Sequence, residues 1–265
     1  MSPVLVVLHA HPDDEAIFTG GTIVRAIRAG WRVVLVVATD GARGTRHTGT
    51  VADLAELRRA EAMAAASTLG VHRVEFLGYG DSGFGSDRGD RTGTLEAAPP
   101  VQVATRVRRI LSEERATALT SYDSRGIYGH VDHVKVHDVA RRAVAGTPVE
   151  LLECTLDRDA LRLLRSQLVD RGLESGRWPE SLIDGLGVGG TPGSVAVDVT
   201  DDLDLKLLAL SAHSSQMVEA ASFMGLPAGA FHHLLDTEWF RVAHPGDGRF
   251  LGMLHRSGIR LPAPA

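Results

Sequence analysis

The feature that most narrows the possible folds is a regular alternation through the first 154 residues. Apolar or β-branched runs at 4–8, 32–38, 73–77, 116–120 and 149–154 are separated by helical patterns at 22–29, 52–69, 101–114 and 132–145. The first run, Val4-Leu5-Val6-Val7-Leu8, is apolar throughout, as a strand buried on both faces must be. The helical pattern at 52–69 is alanine-rich and closed by Gly70. Strands alternating with helices at this spacing predict right-handed βαβ crossovers. The expected fold is therefore α/β: a Rossmann-like, mostly parallel, doubly wound sheet with helices on both faces. Beyond residue 156 the pattern loosens. Residues 161–168 and 203–212 read as helices, 195–199 as a strand, 177–192 as a Gly- and Pro-rich stretch, and 220 onward as irregular. This suggests a catalytic core over 1–156 and a C-terminal extension or lid over 157–265 packed on the same domain. The Gly/Asp/Arg stretch at 83–93 reads as a mobile loop.

Composition excludes several classes. A chain of 265 residues with 44% hydrophobic and 23% charged residues is not wholly disordered. Its net charge of −5 argues against the basic face of a nucleic-acid binder. The single cysteine, Cys154, excludes a disulfide framework and a cysteine-rich zinc site, so any metal must be held by nitrogen and oxygen. The apolar start is too short for a membrane helix and lacks the basic flank and cleavage site of a signal peptide. A cytoplasmic protein with neither nucleic-acid nor membrane partners is expected.

In open α/β sheets ligands bind beyond the carboxyl ends of the strands. After the first strand comes His9-Ala10-His11-Pro12-Asp13-Asp14-Glu15. A helix cap needs one carboxylate, whereas three in a row repel unless a cation neutralises them. After the fourth strand, Ser121-Tyr122-Asp123 leads to Gly129-His130-Val131-Asp132-His133, where two histidines spaced i, i+3 share one face at the entry to a helix. One histidine and one carboxylate from the first loop, with one histidine from the later loop, would make a three-ligand site with an open position. That is the composition of a catalytic zinc site, and it also suits Fe²⁺. His72 and His137 read as ordinary structural histidines. Gly78-Tyr79-Gly80-Asp81-Ser82-Gly83 fits the dinucleotide fingerprint, but the glycine-rich sequence after it is unfit to open the required helix. Gly80-Asp81-Ser82-Gly83 echoes the nucleophile segment of trypsin-like proteases, which are β-barrels, and the G-x-S-x-G elbow is absent.

The two histidine-bearing loops resemble those of the LmbE/PIG-L family of zinc-dependent N-deacetylases. The resemblance extends through Glu56-Leu57-Arg58-Arg59-Ala60-Glu61 and Asp81-Ser82-Gly83, and faintly to Ala212-His213-Ser214-Ser215-Gln216. It implies that His11, Asp14 and His133 are metal ligands and Asp13 the general base. It implies that His130 stabilises the oxyanion or protonates the leaving amine, with Asp132 orienting it. Tyr128 matches a mobile tyrosine that polarises the substrate carbonyl in mycothiol-pathway members, and Arg58 and Asp81 match sugar- or inositol-binding positions. Val131 stands where the family often has proline. Ala16-Ile17-Phe18-Thr19 lacks the small polar or lysine residues of some mycothiol enzymes, which suggests a more apolar rim. The implied reaction is hydrolysis of an N-acetyl group on an amino sugar or glycosylated natural product. A larger amide, such as a mycothiol S-conjugate, is the alternative substrate. A noncatalytic sugar- or metabolite-binding protein and a nicotinamide-linked oxidoreductase are the alternatives of other classes.

Overall fold

The computed structural model describes residues 2–44, 51–85, 89–170, 172, 180–188, 194–216, 235–256 and 259–260. Along the chain lie β1 (Val4–His9), α1 (Asp14–Phe18), α2 (Gly20–Arg28), β2 (Arg32–Thr39), α3 (Val51–Leu69), β3 (Arg73–Tyr79) and α4 (Pro100–Glu113). There follow β4 (Ala118–Tyr122), the single turn α5 (Gly126–Gly129), α6 (Val131–Val144), β5 (Glu150–Thr155), α7 (Arg158–Asp170) and α8 (Glu180–Gly185). The chain continues through β6 (Ser194–Asp198), α9 (Leu203–Ala212), β7 (Thr237–His244), α10 (Arg249–Arg256) and β8 (Ile259–Arg260).

The strands form one sheet in the order β3-β2-β1-β4-β5-β7-β6-β8. The first five are parallel neighbours, and every residue of β1, β4 and β5 is buried. The chain moves outward from β1 to β3, then returns to β4 on the other side of β1. Right-handed crossovers therefore place the helices of the two halves on opposite faces. In keeping with this, α4 packs against α6, while α2 and α3 pack with α9. The order reverses between β1 and β4, so the crevice beyond their carboxyl ends is the switch point at which such sheets bind ligands. The fourth strand ends two residues later than its apolar run suggests, which brings Tyr122 onto that edge.

The stretch from 220 onward departs from the expected irregularity. Residues 217–234 lie outside the described residues, but β7 and α10 are regular. β7 inserts antiparallel between β5 and β6. Its sequence, Thr-Glu-Trp-Phe-Arg-Val-Ala-His, is largely half-buried, so no apolar run marks it. Glu238 of β7 explains the charge: its carboxylate accepts the N–H groups of Gly21 and Thr22 at 2.8 Å each and the Lys206 ammonium at 2.7 Å. That one side chain ties α2, α9 and β7 together. Gly21 is required there, because a Cβ would lie 2.3 Å from Cβ of Val199. Glu150 of β5 similarly accepts the N–H groups of Phe250 and Leu251 and fixes the start of α10. Among the described residues, no helix is long and apolar enough to cross a membrane.

Candidate active site

His11 and Asp14 leave the end of β1, and His133 sits in the first turn of α6. His11 Nδ1 lies 3.2 Å from His133 Nε2 and 3.4 Å from Asp14 Oδ2, and the latter two are 3.3 Å apart. Tetrahedral zinc with nitrogen and oxygen ligands at about 2.0–2.2 Å has ligand-to-ligand edges of about 3.3–3.6 Å. The triangle therefore fits a divalent cation, and its donor set of two imidazoles and a carboxylate is chemically apt. Ligand-capable atoms of His11, His130 and His133 also lie within 4.8 Å of one another, as do those of His11, Asp81, His130 and Asp132. Burial opposes charge on both His11 and Asp14. Even so, Asp81, Asp132 and Asp14 raise the His11 pKa well above the ordinary range, and His133 and His11 hold Asp14 well below it.

The triangle is held from behind. Tyr122 accepts the Ala10 N–H at 2.7 Å and donates its hydroxyl proton to Asp14 Oδ2 at 2.7 Å, while its ring stacks on His133 at 4.1 Å and 5°. His9 Nδ1 lies 3.0 Å from the same hydroxyl, and His9 Nε2 lies 2.9 Å from the Thr19 hydroxyl. Burial pushes the His9 pKa down to about 4, so the ring is a neutral spacer. Gly126 allows α6 to approach: at φ +59° its Cβ would lie 2.7 Å from that of His133. The next residue, Ile127, is β-branched and yet has φ 63°, a conformation that costs on the order of 1–3 kcal/mol.

Asp13 stands beside the triangle with φ 117°. It sits at the N-cap of α1 but makes no side-chain cap bond. Its Oδ2 lies 2.8 Å from Arg58 Nη2, and its N–H donates to Glu15 Oε2 at 3.0 Å. Burial raises its pKa to about 7 against the opposing pull of Arg58. That value suits a proton acceptor near neutrality. Arg58 does not stand as an open sugar-binding side chain. It is buried, donating also to the carbonyls of Gly41 and Pro12, so its fork fixes Asp13 and the two loops around it.

His130 Nδ1 accepts the N–H of Asp132 at 3.1 Å, which leaves the ring proton on Nε2. Burial, followed by His11 and His133, lowers its pKa to about 3, so the ring is a neutral donor. The expected pairing of the Asp132 carboxylate with His130 gives way to another. Asp132 Oδ2 lies 3.3 Å from His11 Nε2, and the carboxylate accepts both N–H and O–H of Ser82. The fold brings the β3 loop over the start of α6, so Asp132 orients His11. Asp81 is likewise turned inward, 3.6 Å from His11 Nε2, and accepts the N–H groups of Gly83 and Arg43. The Tyr128 hydroxyl is 3.5 Å from His133 Nε2. Phe84 stacks on His130 and supplies an exposed apolar rim, although residues 86–88 of its loop lie outside the described residues.

His72 and His137 are structural. His72 Nδ1 accepts the Val33 N–H, and His137 bonds the Tyr122 carbonyl and Glu153. The sequence motifs contain His9, Glu15, Ser82, Tyr122 and His213 without marking a role for any of them. A histidine ending a wholly apolar strand was a signal for His9. For His213, which meets Glu15 across 198 residues, only the faint C-terminal motif hinted at a role.

Asp13 and His130 stand beside the His11–Asp14–His133 triangle at the switch point of the sheet, and Gly78–Gly83 leads into a loop instead of a phosphate-cradling helix. Fold and site together define a hydrolase rather than a dinucleotide enzyme. Residues 6–144 match the family described as PIG-L, GlcNAc-PI de-N-acetylase, and the chain belongs to that family. It is thus an N-deacetylase, a hydrolase of acetamido groups. It is 32% identical, over 91% of its length and 77% of the relative's, to the 1D-myo-inositol 2-acetamido-2-deoxy-alpha-D-glucopyranoside deacetylase of Kineococcus radiotolerans. The fold is shared with the N,N'-diacetylchitobiose deacetylase of Pyrococcus horikoshii (TM-score 0.60, 23% identity, 92% of this chain and 85% of that one). It is shared equally with GalB, the 4-carboxy-2-hydroxymuconate hydratase of Pseudomonas putida KT2440 (TM-score 0.59, 19% identity, 92% and 97%). Architecture alone therefore does not choose the reaction.

Proposed function

We propose that this deacetylase works with zinc held by His11, Asp14 and His133. Its proposed substrate is a small N-acetylglucosaminyl conjugate, of the inositol-linked kind named for its bacterial relative. The observation that carries this reading is the donor triangle, with sides of 3.2–3.4 Å, and an unliganding carboxylate, Asp13, beside it. The cation would supply Lewis acidity, polarising the acetamide carbonyl and making water a stronger acid. Asp13, fixed by Arg58, accepts the proton of the attacking water and can pass it to the departing amine. His130 donates its Nε2–H to the oxygen that becomes negative, a contribution of about 3 kcal/mol at comparable sites. Tyr128 lies on the same side and adds a hydroxyl donor to that oxygen. Arg58 and Asp81 act on the substrate only through Asp13 and His11.

Residues 1–156 are read as the catalytic core and 157–265 as an extension packed upon it, in a cytoplasmic enzyme. The test is release of free amine from N-acetylglucosaminyl-inositol and other N-acetyl sugars by zinc-loaded protein, alongside Asp13→Asn. Turnover by the wild type, with a zinc-binding but inactive variant, is expected. A wild-type protein that binds zinc yet deacetylates none of these sugars overturns the substrate class. An active Asp13→Asn variant overturns the role of Asp13.

A further inference from the structure

Asp13 is held in a backbone conformation that aspartate seldom adopts, so something must enforce it. Its N–H is bonded by Glu15 Oε2, and the other oxygen of that carboxylate lies 2.6 Å from His213 Nε2. Both side chains of this pair are almost wholly buried. His213 follows the last residue of α9, and its Nδ1 has no partner among the described residues, so the ring's hydrogen bonding there is given to Glu15. The next two residues reach the other support of Asp13. Ser214 donates its hydroxyl to Glu61 Oε1 at 2.9 Å, and Ser215 donates its N–H and hydroxyl to the two oxygens of Glu61 at 2.9 and 2.6 Å. Glu61 lies one helical turn beyond Arg58 on α3, and Arg58 holds the Asp13 carboxylate. The far end of the strap is also fixed, because α9 is anchored through the buried Lys206–Glu238 pair.

We propose that His213-Ser214-Ser215 is a positioning strap for Asp13. His213 fixes the backbone of Asp13 through Glu15, and the two serines fix its side chain through Glu61 and the Arg58 helix. Thus the C-terminal third contributes to catalysis without touching the substrate. The inference rests on the reading of Asp13 as the proton acceptor. A displacement of about 1 Å in such a group can cost up to a hundredfold in rate. The strap leaves the donor triangle untouched, so its loss falls on kcat and not on metal affinity.

The experiment compares wild type, His213→Ala, His213→Gln, Ser214→Ala/Ser215→Ala and Asp13→Asn. It measures kcat and KM on an N-acetylglucosaminyl substrate and zinc affinity by chelator competition. His213→Ala is expected to lose roughly tenfold to a hundredfold in kcat, with KM and zinc affinity within about twofold. His213→Gln, which keeps an N–H donor toward Glu15, should recover most of that loss. Adding His213→Ala to Asp13→Asn should cost nothing further, since groups acting as a unit are not additive. If His213→Ala does not fold, the double serine variant decides, with a severalfold fall in kcat expected at unchanged zinc affinity. Unchanged kcat in the deciding variant overturns the strap, as does a fall in zinc affinity matching that in kcat. Asp13→Asn separates the two levels: if it stays active, the reading of Asp13 fails first, whereas an inactive Asp13→Asn beside a fully active His213→Ala removes the strap alone.

Discussion

Tyr122→Phe is the most informative single substitution, because it deletes one oxygen and retains the ring that stacks on His133. That oxygen has three partners: the N–H of Ala10, the carboxylate of Asp14 and the imidazole of His9. Ala10 is fully buried, so its N–H would lose its acceptor with no water to replace it. An unsatisfied buried donor costs about 1–3 kcal/mol, and a hydrogen bond to a charged acceptor contributes about 1.5–3 kcal/mol. The phenyl ring is less costly to bury than the phenol, so a net loss of about 2–4 kcal/mol is expected in the metal-free protein. For a chain of this size that lowers the melting temperature by about 4–7 °C.

The second consequence concerns the cation. Removing a group that orients a ligand typically weakens metal binding by about 10–100-fold. Such a change reduces the stabilisation gained at saturating zinc by about 1.4–2.7 kcal/mol. Two thermal scans, with and without zinc, together with chelator competition, read both effects. A Tyr122→Phe protein that melts within about 1 °C of wild type and binds zinc equally well would refute the assignment of Tyr122 as the support of Asp14.

Other substitutions test the remaining parts. His130→Ala should lower kcat by about 10²–10³-fold and leave zinc affinity intact, because its N–H faces the developing charge and not the cation; a fall in zinc affinity of similar size would make it a ligand instead. Gly126→Ala places a methyl group 2.7 Å from Cβ of His133 at φ +59°, so it should cost on the order of 2 kcal/mol and displace that ligand; a variant as stable as wild type by denaturant unfolding would contradict the close approach. Stability should also depend on pH through His137. Burial opposes its charge, but the hydrogen bond and charge of Glu153 prevail and raise its pKa above the ordinary 6.5. Its contribution is therefore present below about pH 6.5 and lost as pH rises through the raised value. His137→Gln should cost more stability at pH 6 than at pH 9, and equal losses at the two values would show that the pair is not charged.

The legible part of this molecule is the part built from local pattern. Val4–Leu8 could be recognised as a central strand because parallel strands buried on both faces need unbroken apolar sequence. The loops after β1 and β4 could be recognised because three adjacent carboxylates and two histidines at a helix entry have no ordinary structural use. β7 is illegible in sequence for the opposite reason: it is antiparallel and half-buried, and Glu238 serves two helix-terminal amides and a lysine from distant elements. Arg58 and Asp81 show a further limit. Residue type and motif place both beside the substrate, yet only the packed loops reveal that Arg58 is engaged by Asp13 and Asp81 lies near His11.

Tyr122, Ser82 and His213 share a physical property: each acts through a partner distant in sequence. Tyr122 is 108 residues from Asp14, Ser82 is 50 from Asp132 and His213 is 198 from Glu15. Periodicity and motif spacing report on neighbours along the chain, so they identify groups that touch the cation or the substrate. They are blind to the groups that hold those in place. Yet a buried carboxylate cluster cannot exist without such supports, since every oxygen removed from water must regain a donor. Counting the donors owed to Asp13, Asp14, Glu15, Asp81 and Asp132 therefore predicts that a second layer exists before any coordinates are known. The fold then determines which side chains fill it. Here they come from β4, from the loop after β3 and from the end of α9, which ties the C-terminal third to the carboxylates after β1 and on α3.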